Sequence, residues 1–144
     1  MKGYRISTNH EDLDFEVIYQ FISQSYWAMG IPRATLRKAI DNSFCFGVFE
    51  NGGKQVGFAR LITDRATFAY LADVFVVEAH RGKGLSKWLV ESIVSHPDVQ
   101  GLRRMVLATR DAHGLYAQYG FKGIENPEIL MQIWQPDIYS AQNA

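Results

Sequence analysis

Two glycines and three bases stand close together in "EAHRGKGLSK": Arg81, Gly82, Lys83, Gly84 and Lys87. They follow a run of β-forming residues, "DVFVV" from Asp73, and precede a helical stripe of Leu85, Trp88, Leu89, Ser92 and Ile93. A strand-to-helix turn of this kind has a chemistry of its own. The first turn of a helix leaves N–H groups unpaired and carries about half a positive charge. Glycine lets a bulky anion approach that backbone, and the cationic side chains add whole charges around it. A phosphate or diphosphate ester is the natural guest, and a tight turn with solvated charges is the alternative.

Familiar phosphate loops do not fit. A Walker A loop needs G-x-x-x-x-G-K-[ST], and "AHRGKGLS" lacks its first glycine and its Gly-Lys-Ser/Thr ending. A dinucleotide fingerprint needs a third glycine where Lys87 stands. The bulk numbers narrow the class further. Lys plus Arg and Asp plus Glu are 15 each, a formal net charge of zero, which argues against a protein that coats nucleic acid. Cys45 is the single cysteine, so no internal disulfide forms, and "SFCFGVF" reads as a buried setting for it. Four dispersed histidines with one cysteine make no metal site. "MKGYRISTNHEDLD" lacks the apolar centre of a signal peptide, and no apolar run approaches the ~18 residues of a membrane span. The expectation is a cytoplasmic protein with no membrane partner.

The elements around the turn follow from period and punctuation. Tyr4 to Ser7 reads as a first strand; Thr8 and Glu11 have capping-box spacing ahead of a helix with Phe15, Ile18, Phe21, Ile22 and Ser25 on one face. Pro32 opens a second helix striped by Leu36, Ala39 and Ile40. From Phe44 the period becomes two, with a hairpin expected at Asn51-Gly52 and a third long strand from Thr67 to Val77. After the glycine turn and its helix come a strand in "RRMVLAT", a short helix in "DAHGLYAQYG" ended by Gly120, and two last strands at Phe121–Ile124 and Ile129–Trp134. The order is β-α-α-β-β-β-α-β-α-β-β. It predicts an α/β fold with a mixed, mostly antiparallel central sheet and helices on both faces. With 144 residues the chain reads as a single domain, its core about 4–134 and its tail 136–144 loose.

"V-x-E-x-x-R-G-K-G-L" after a strand, with "LYAQYGF" some thirty residues later, resembles the GNAT superfamily of acetyl-CoA-dependent N-acetyltransferases. The resemblance implies that the coenzyme A diphosphate lies on the turn, Arg81, Gly82, Lys83, Gly84, Leu85 and Ser86. It implies that pantetheine pairs like an extra strand beside Phe75, Val76 and Val77, and it puts Thr109 where members often contact the cofactor through Asn. Tyr116 falls at the family's general-acid position; a phenol with a reference pKa of ~10 is protonated at neutral pH and can donate to the leaving thiolate. A packing tyrosine is the other reading. Asp73, among apolar neighbours in "YLADVFVV", is a candidate base or an aspartate bonded to a neighbouring element; His113 and a water relay stay open for the same task. Tyr26 and Trp27 either wall an acceptor pocket or pack between helices, and Arg60 pairs with an anionic acceptor group or with Asp73. "TRDAH", from Thr109 to His113, is expected to rim the pocket.

The expected function is transfer of acetyl from acetyl-CoA directly to a primary amine on a small molecule, with no metal. Acetylation of a protein or peptide is the rival within enzymes. A non-catalytic acyl-CoA-binding module and a nucleotide-binding turn are the rivals outside them. The resemblance also implies a possible homodimer.

Overall fold

The structure is a computed structural model and describes residues 1–143. Five strands form one sheet in the order β1-β2-β3-β4-β5: β1 Tyr4–Ser7, β2 Phe44–Glu50, β3 Gln55–Thr63, β4 Phe68–Val76 and β5 Arg104–Leu107. The first four are joined antiparallel, and β5 lies parallel to β4. A parallel neighbour needs a crossover, which α3 (Leu85–Val94) supplies. Helices α1 (Phe15–Ile22) and α2 (Arg33–Asp41) precede β2; the short α4 (His113–Ala117) follows β5, and α5 (Ile138–Asn143) ends the described chain.

The central strands are buried on both faces, so β2 reads as a continuous apolar run. Phe44, Phe46 and Val48 pack with Leu61, Leu71, Leu85, Leu89 and Ile93 on the α3 side. Cys45, between them in sequence, joins Phe58 and Phe75 under Ile18, Ile22, Leu36 and Ile40 of α1 and α2. Each fully buried aliphatic contributes about 1.5–3 kcal/mol, so these two layers hold β4 firmly on both sides. Gln55, almost fully buried, ties the start of α1 to β3: its Oε1 accepts from Asp14 N at 2.7 Å and its Nε2 donates to the Gly57 carbonyl at 3.0 Å.

Several elements differ from the expectation. Asp14, not Thr8, caps α1, accepting from the N–H groups of Glu16 and Val17; Asn9 caps a separate 3-10 turn at His10–Asp12. The β2–β3 hairpin closes from Glu50 to Lys54, and its left-handed residue is Gly53 (φ 95°), one place beyond the Asn51-Gly52 pair. The last two predicted strands do not form. Residues 121–124 and 129–134 join no ladder, and β5 is a bare edge. A strand pattern becomes a strand only where it is laid against a neighbour to bond, and these residues are not paired with the free edge of β5. The tail is not loose throughout: α5 follows Pro136, and Tyr139 packs against the α1–α2 cluster.

Candidate active site

The ladder between β4 and β5 runs from Phe68↔Arg104 to Leu71↔Leu107 and stops. Beyond Leu107 the chain turns towards α4, held by Thr109, whose Oγ1 accepts from Ala112 N at 3.0 Å. β4 continues to Val76, so the two strands part and leave a wedge. Val77 N donates to the Val56 carbonyl at 2.9 Å, which turns the main-chain groups of Phe75 and Val77 towards β3. Alternation along a strand then turns Val74 and Val76 to the open side. The Val76 carbonyl accepts from Arg81 Nε at 2.9 Å, and the Val76 N–H and both groups of Val74 face the wedge.

A second irregularity sits at the head of this open edge. Phe58 pairs with Phe75 and Arg60 with Ala72, so β4 carries one extra residue there. This is a β-bulge, and Asp73 within it has φ 57°. A left-handed residue other than glycine costs of order 1–3 kcal/mol unless its surroundings hold it, Asp and Asn being the best tolerated. Here the surroundings hold it. Asp73 Oδ1 accepts from Trp27 Nε1 at 2.7 Å, and Oδ2 accepts from Arg60 Nε at 2.6 Å. Arg60 in turn donates through Nη1 to Ser43 Oγ at 3.1 Å. The pair is buried, with side-chain exposures of 14% for Arg60 and 6% for Asp73. Of the two readings open for Asp73, base or bonded partner, the geometry displays the bonds of the second. Of the two for Arg60, it displays the pairing with Asp73.

Two clefts open along β4. The larger, about 430 Å³, is lined by Tyr26, Trp27, Asp73, Val74, Asp111 and Tyr116 among others. Tyr116 is buried against Phe121, ring centroids 5.8 Å apart, and its hydroxyl bonds to no other described residue. Burial, with Tyr26 nearby as the smaller cause, pushes its phenol pKa above the usual value. That keeps the proton on a group facing the cleft. Across the cleft Arg110 lies 3.8 Å over the Tyr26 ring, and Tyr26 meets Trp27 edge-on at 5.1 Å. Residues 26–27 and 109–111 thus clasp one another. His113 is exposed and stands outside the lining.

The smaller cleft, about 310 Å³, is lined by Val76, His80, Arg81, Gly82, Gly84, Leu85, Ser86, Lys87 and Leu115. Gly82 and Gly84 have φ of 80° and 84°, and Gly84 caps α3 with no side chain on the helix N-terminus. Trp88 N makes the first helical bond, to the Gly84 carbonyl, so the N–H groups of Leu85, Ser86 and Lys87 have no acceptor among the described residues. Lys83 is drawn away from this lining: its Nζ donates to Tyr4 Oη at 3.1 Å, and Tyr4 Oη lies 2.8 Å from His80 Nδ1. Neither the Tyr4–His80–Lys83 contact nor the Arg110–Tyr26 stack was legible beforehand, because each joins residues at least 76 apart. The two clefts share β4 and α4. Anion donors therefore stand at one end of an unpaired strand edge, and a protonated phenol and a bulge stand at the other.

This arrangement is that of a family. The Acetyltransferase (GNAT) family model matches residues 14–121. A provisionally named acetyltransferase of Gibberella zeae is 31% identical over 137 residues, covering 80% of this chain and 76% of that protein. The crystal structure of a GNAT-family protein from Xanthomonas campestris pv. campestris is 52% identical with a TM-score of 0.93, covering 97% of this chain and 99% of that one. A Mycobacterium tuberculosis protein solved in complex with CoA shares the fold at 21% identity and a TM-score of 0.67, over 84% of this chain and 73% of that one. With three quarters of its length matched and the wedge, bulge and glycine turn in place, the chain belongs to the GNAT family of acetyltransferases.

Proposed function

We propose that the protein transfers acetyl from acetyl-CoA to a primary amine on a small molecule by direct attack. The observation that carries this reading is the unpaired edge of β4, running from the glycine turn to Tyr116. The diphosphate of the co-substrate would sit on the free N–H groups of Leu85, Ser86 and Lys87, with Gly82 and Gly84 permitting close approach and Arg81 and Lys87 adding charge. The amides of pantetheine would meet Val74 and Val76, the residues turned to the open side. Phe75 and Val77 would contribute side-chain walls, their main-chain groups being turned to β3.

In the reaction the amine nitrogen attacks the thioester carbon, a C–N bond forms and the C–S bond breaks. Tyr116 donates its proton to the departing thiolate, and its raised pKa suits a donor. The ammonium proton leaves through water in the cleft. Asp73 already holds Trp27 and Arg60, which favours a bracketing role for it over that of base. Asp111 is the other carboxylate in the lining and gives the incoming ammonium a counter-charge. Thr109 shapes the wall by fixing the turn into α4.

The clasp of Arg110 on Tyr26 favours a small acceptor over a peptide laid in an open groove. No helix among the described residues is long and apolar enough to cross a membrane. A cytoplasmic setting, with acetyl-CoA at hand and Cys45 reduced, fits this chemistry. The test is an amine-library screen that reads free thiol from acetyl-CoA. Turnover with one class of small amine supports the reading; turnover with peptides alone, or thiol release by none, overturns it.

A further inference from the structure

The first strand and the glycine turn meet in a polar cluster that takes no part in the transfer. Tyr4 and Glu50 stand opposite one another on the outermost rung of the β1–β2 ladder, so their side chains leave the same face of the sheet. His80 lies against both. It ends the 3-10 turn Glu78–His80, which carries the chain from β4 into the glycine turn. Its Nδ1 is 2.8 Å from Tyr4 Oη and its Nε2 is 3.5 Å from Glu50 Oε2; its ring meets that of Tyr4 edge-on at 5.8 Å. Lys83 Nζ reaches the same Tyr4 oxygen at 3.1 Å. Arg81, between them, is turned away, with its Nε on the Val76 carbonyl. The groups facing His80 are thus Tyr4 from β1, Glu50 from β2 and Lys83 from the glycine turn.

The order of donors in this cluster fixes where the protons sit. An ammonium has donors only, so Tyr4 Oη accepts from Lys83. The Tyr4 O–H is then left for His80, whose Nδ1 accepts it, and the ring proton sits on Nε2 towards Glu50. The run Lys83, Tyr4, His80, Glu50 is satisfied in this way only while the imidazole is neutral. Histidine gains its charge between about pH 8 and pH 5. A protonated His80 accepts nothing from Tyr4 and itself needs the phenol oxygen that Lys83 already uses. Two cations on one oxygen repel. His80, its side chain 17% exposed and backed by Glu50, stays, and the exposed Lys83 leaves. His80 also lines the cleft of Gly82 and Gly84. We propose that His80 is a positioning residue for the co-substrate: neutral, it keeps Lys83 parked on Tyr4, and protonated, it releases Lys83 to the diphosphate, so that coenzyme binding tightens as pH falls. This rests on the reading of the glycine turn as the diphosphate seat. The imidazolium and the released ammonium both bring positive charge to an anion site, so binding takes up protons. One added charge about 6 Å from a doubly charged diphosphate, screened at physiological salt, changes affinity about threefold, and the freed Lys83 adds to that.

Calorimetry of the full chain with dephospho-CoA tests this, because that ligand keeps the diphosphate and lacks the phosphomonoester, a group that itself titrates near about pH 6. The wild type should bind about threefold or more tighter at about pH 5.5 than at about pH 8. Between those values its binding heat should vary with the ionisation enthalpy of the buffer, the mark of proton uptake. His80→Asn keeps an acceptor where Nδ1 stood and does not titrate. It should bind within about twofold of wild type at about pH 8 and lose both the trend and the proton uptake. A merely structural role would instead lower affinity alike at both pH values and leave the trend. Lys83→Met changes an exposed side chain, does not endanger folding, and should shrink the trend. Wild-type affinity that is flat with pH overturns the proposal, and so does a trend of full size in either variant. Binding without a trend strikes this inference alone, whereas no binding at either pH removes the diphosphate seat and the proposed function with it.

Discussion

Asp73→Asn separates a bracket from a base in one substitution. Asparagine tolerates a positive φ about as well as aspartate, so the backbone at φ 57° is not newly strained. The side chain keeps its size and loses one acceptor oxygen. Trp27 Nε1 and Arg60 Nε both donate to Asp73, and an amide has a single oxygen. Whichever way it turns, one donor faces an NH2 group. If Arg60 is that donor, a guanidinium only 14% exposed keeps Ser43 Oγ as a partner and loses its counter-charge. Breaking a buried pair by removing one partner costs about 3–5 kcal/mol; the residual exposure and the surviving Ser43 bond point to the lower end, about 3 kcal/mol. For a chain of this size each kcal/mol moves Tm by about 2–4 °C, so a fall of about 6–12 °C is expected. Arg60→Met should fall by a similar amount, and the double variant by much less than the sum. The assay is thermal unfolding followed by circular dichroism, beside a pH profile of kcat/KM. A large fall in Tm with the acid limb of the profile retained is expected. A Tm within 2 °C of wild type together with loss of that limb would mean that Asp73 takes the proton, and the bracket argument would be refuted.

Tyr116→Phe removes a hydroxyl without a partner among the described residues and keeps the ring on Phe121, so kcat should fall by about 10²-fold or more while calorimetric affinity for CoA stays within twofold. Because burial raises the phenol pKa, the wild-type rate should show no alkaline limb from this group below the usual phenol range; a limb near pH 8 that Phe abolishes would contradict the assignment. Gly84→Ala has room for its methyl but sits at φ 84°, so it should cost about 1–2 kcal/mol in denaturant unfolding and weaken CoA binding by shifting the turn. Burial pushes the Cys45 thiol up to about 12, so it should react with a thiol reagent only on unfolding. Its folded pKa lies above the unfolded one, so its contribution to stability is complete below about pH 9 and is lost as pH rises towards about 12, which a urea series at alkaline pH would read.

What the sequence disclosed was local. The glycine turn was legible because its residues are neighbours and their chemistry, free N–H groups and charge, needs no tertiary context. The first nine elements were legible from period and punctuation. The bulge was not, since "YLADVFVV" shows no mark of the extra residue; the count of β4 against β3 creates it. Of the bracket, the Arg60–Asp73 pair, 13 residues apart, was one of two open readings, whereas the bonds of Trp27 to Asp73 and of Arg60 to Ser43, spanning 46 and 17 residues, left no mark. The last two strands failed in the opposite direction. Their pattern is strand-like, and what was missing is a partner, which local pattern cannot supply.

The wedge and the bare outer edge of the sheet arise from the same element, because β5 is only four residues long. Its brevity leaves β4 unpaired beyond Leu71, and its position leaves its own far edge bare. The two edges nonetheless differ. The β4 edge lies inside a wedge, overhung by Tyr26, Trp27 and Arg110 and ended by a cationic turn. A second β-strand there would have to thread under the clasp and end against Arg81, whose Nε already occupies the Val76 carbonyl. A narrow, amide-bearing, anionic ligand meets those conditions. The far edge of β5 pairs with no described residue. One open edge is thus bounded by an overhang and by charge, while the other is bare among the described residues. Lengthening β5 by stabilising residues 108–110 as strand should therefore cover the β4 edge and lower kcat/KM. An unchanged kcat/KM would show that the reaction does not use the β4 edge.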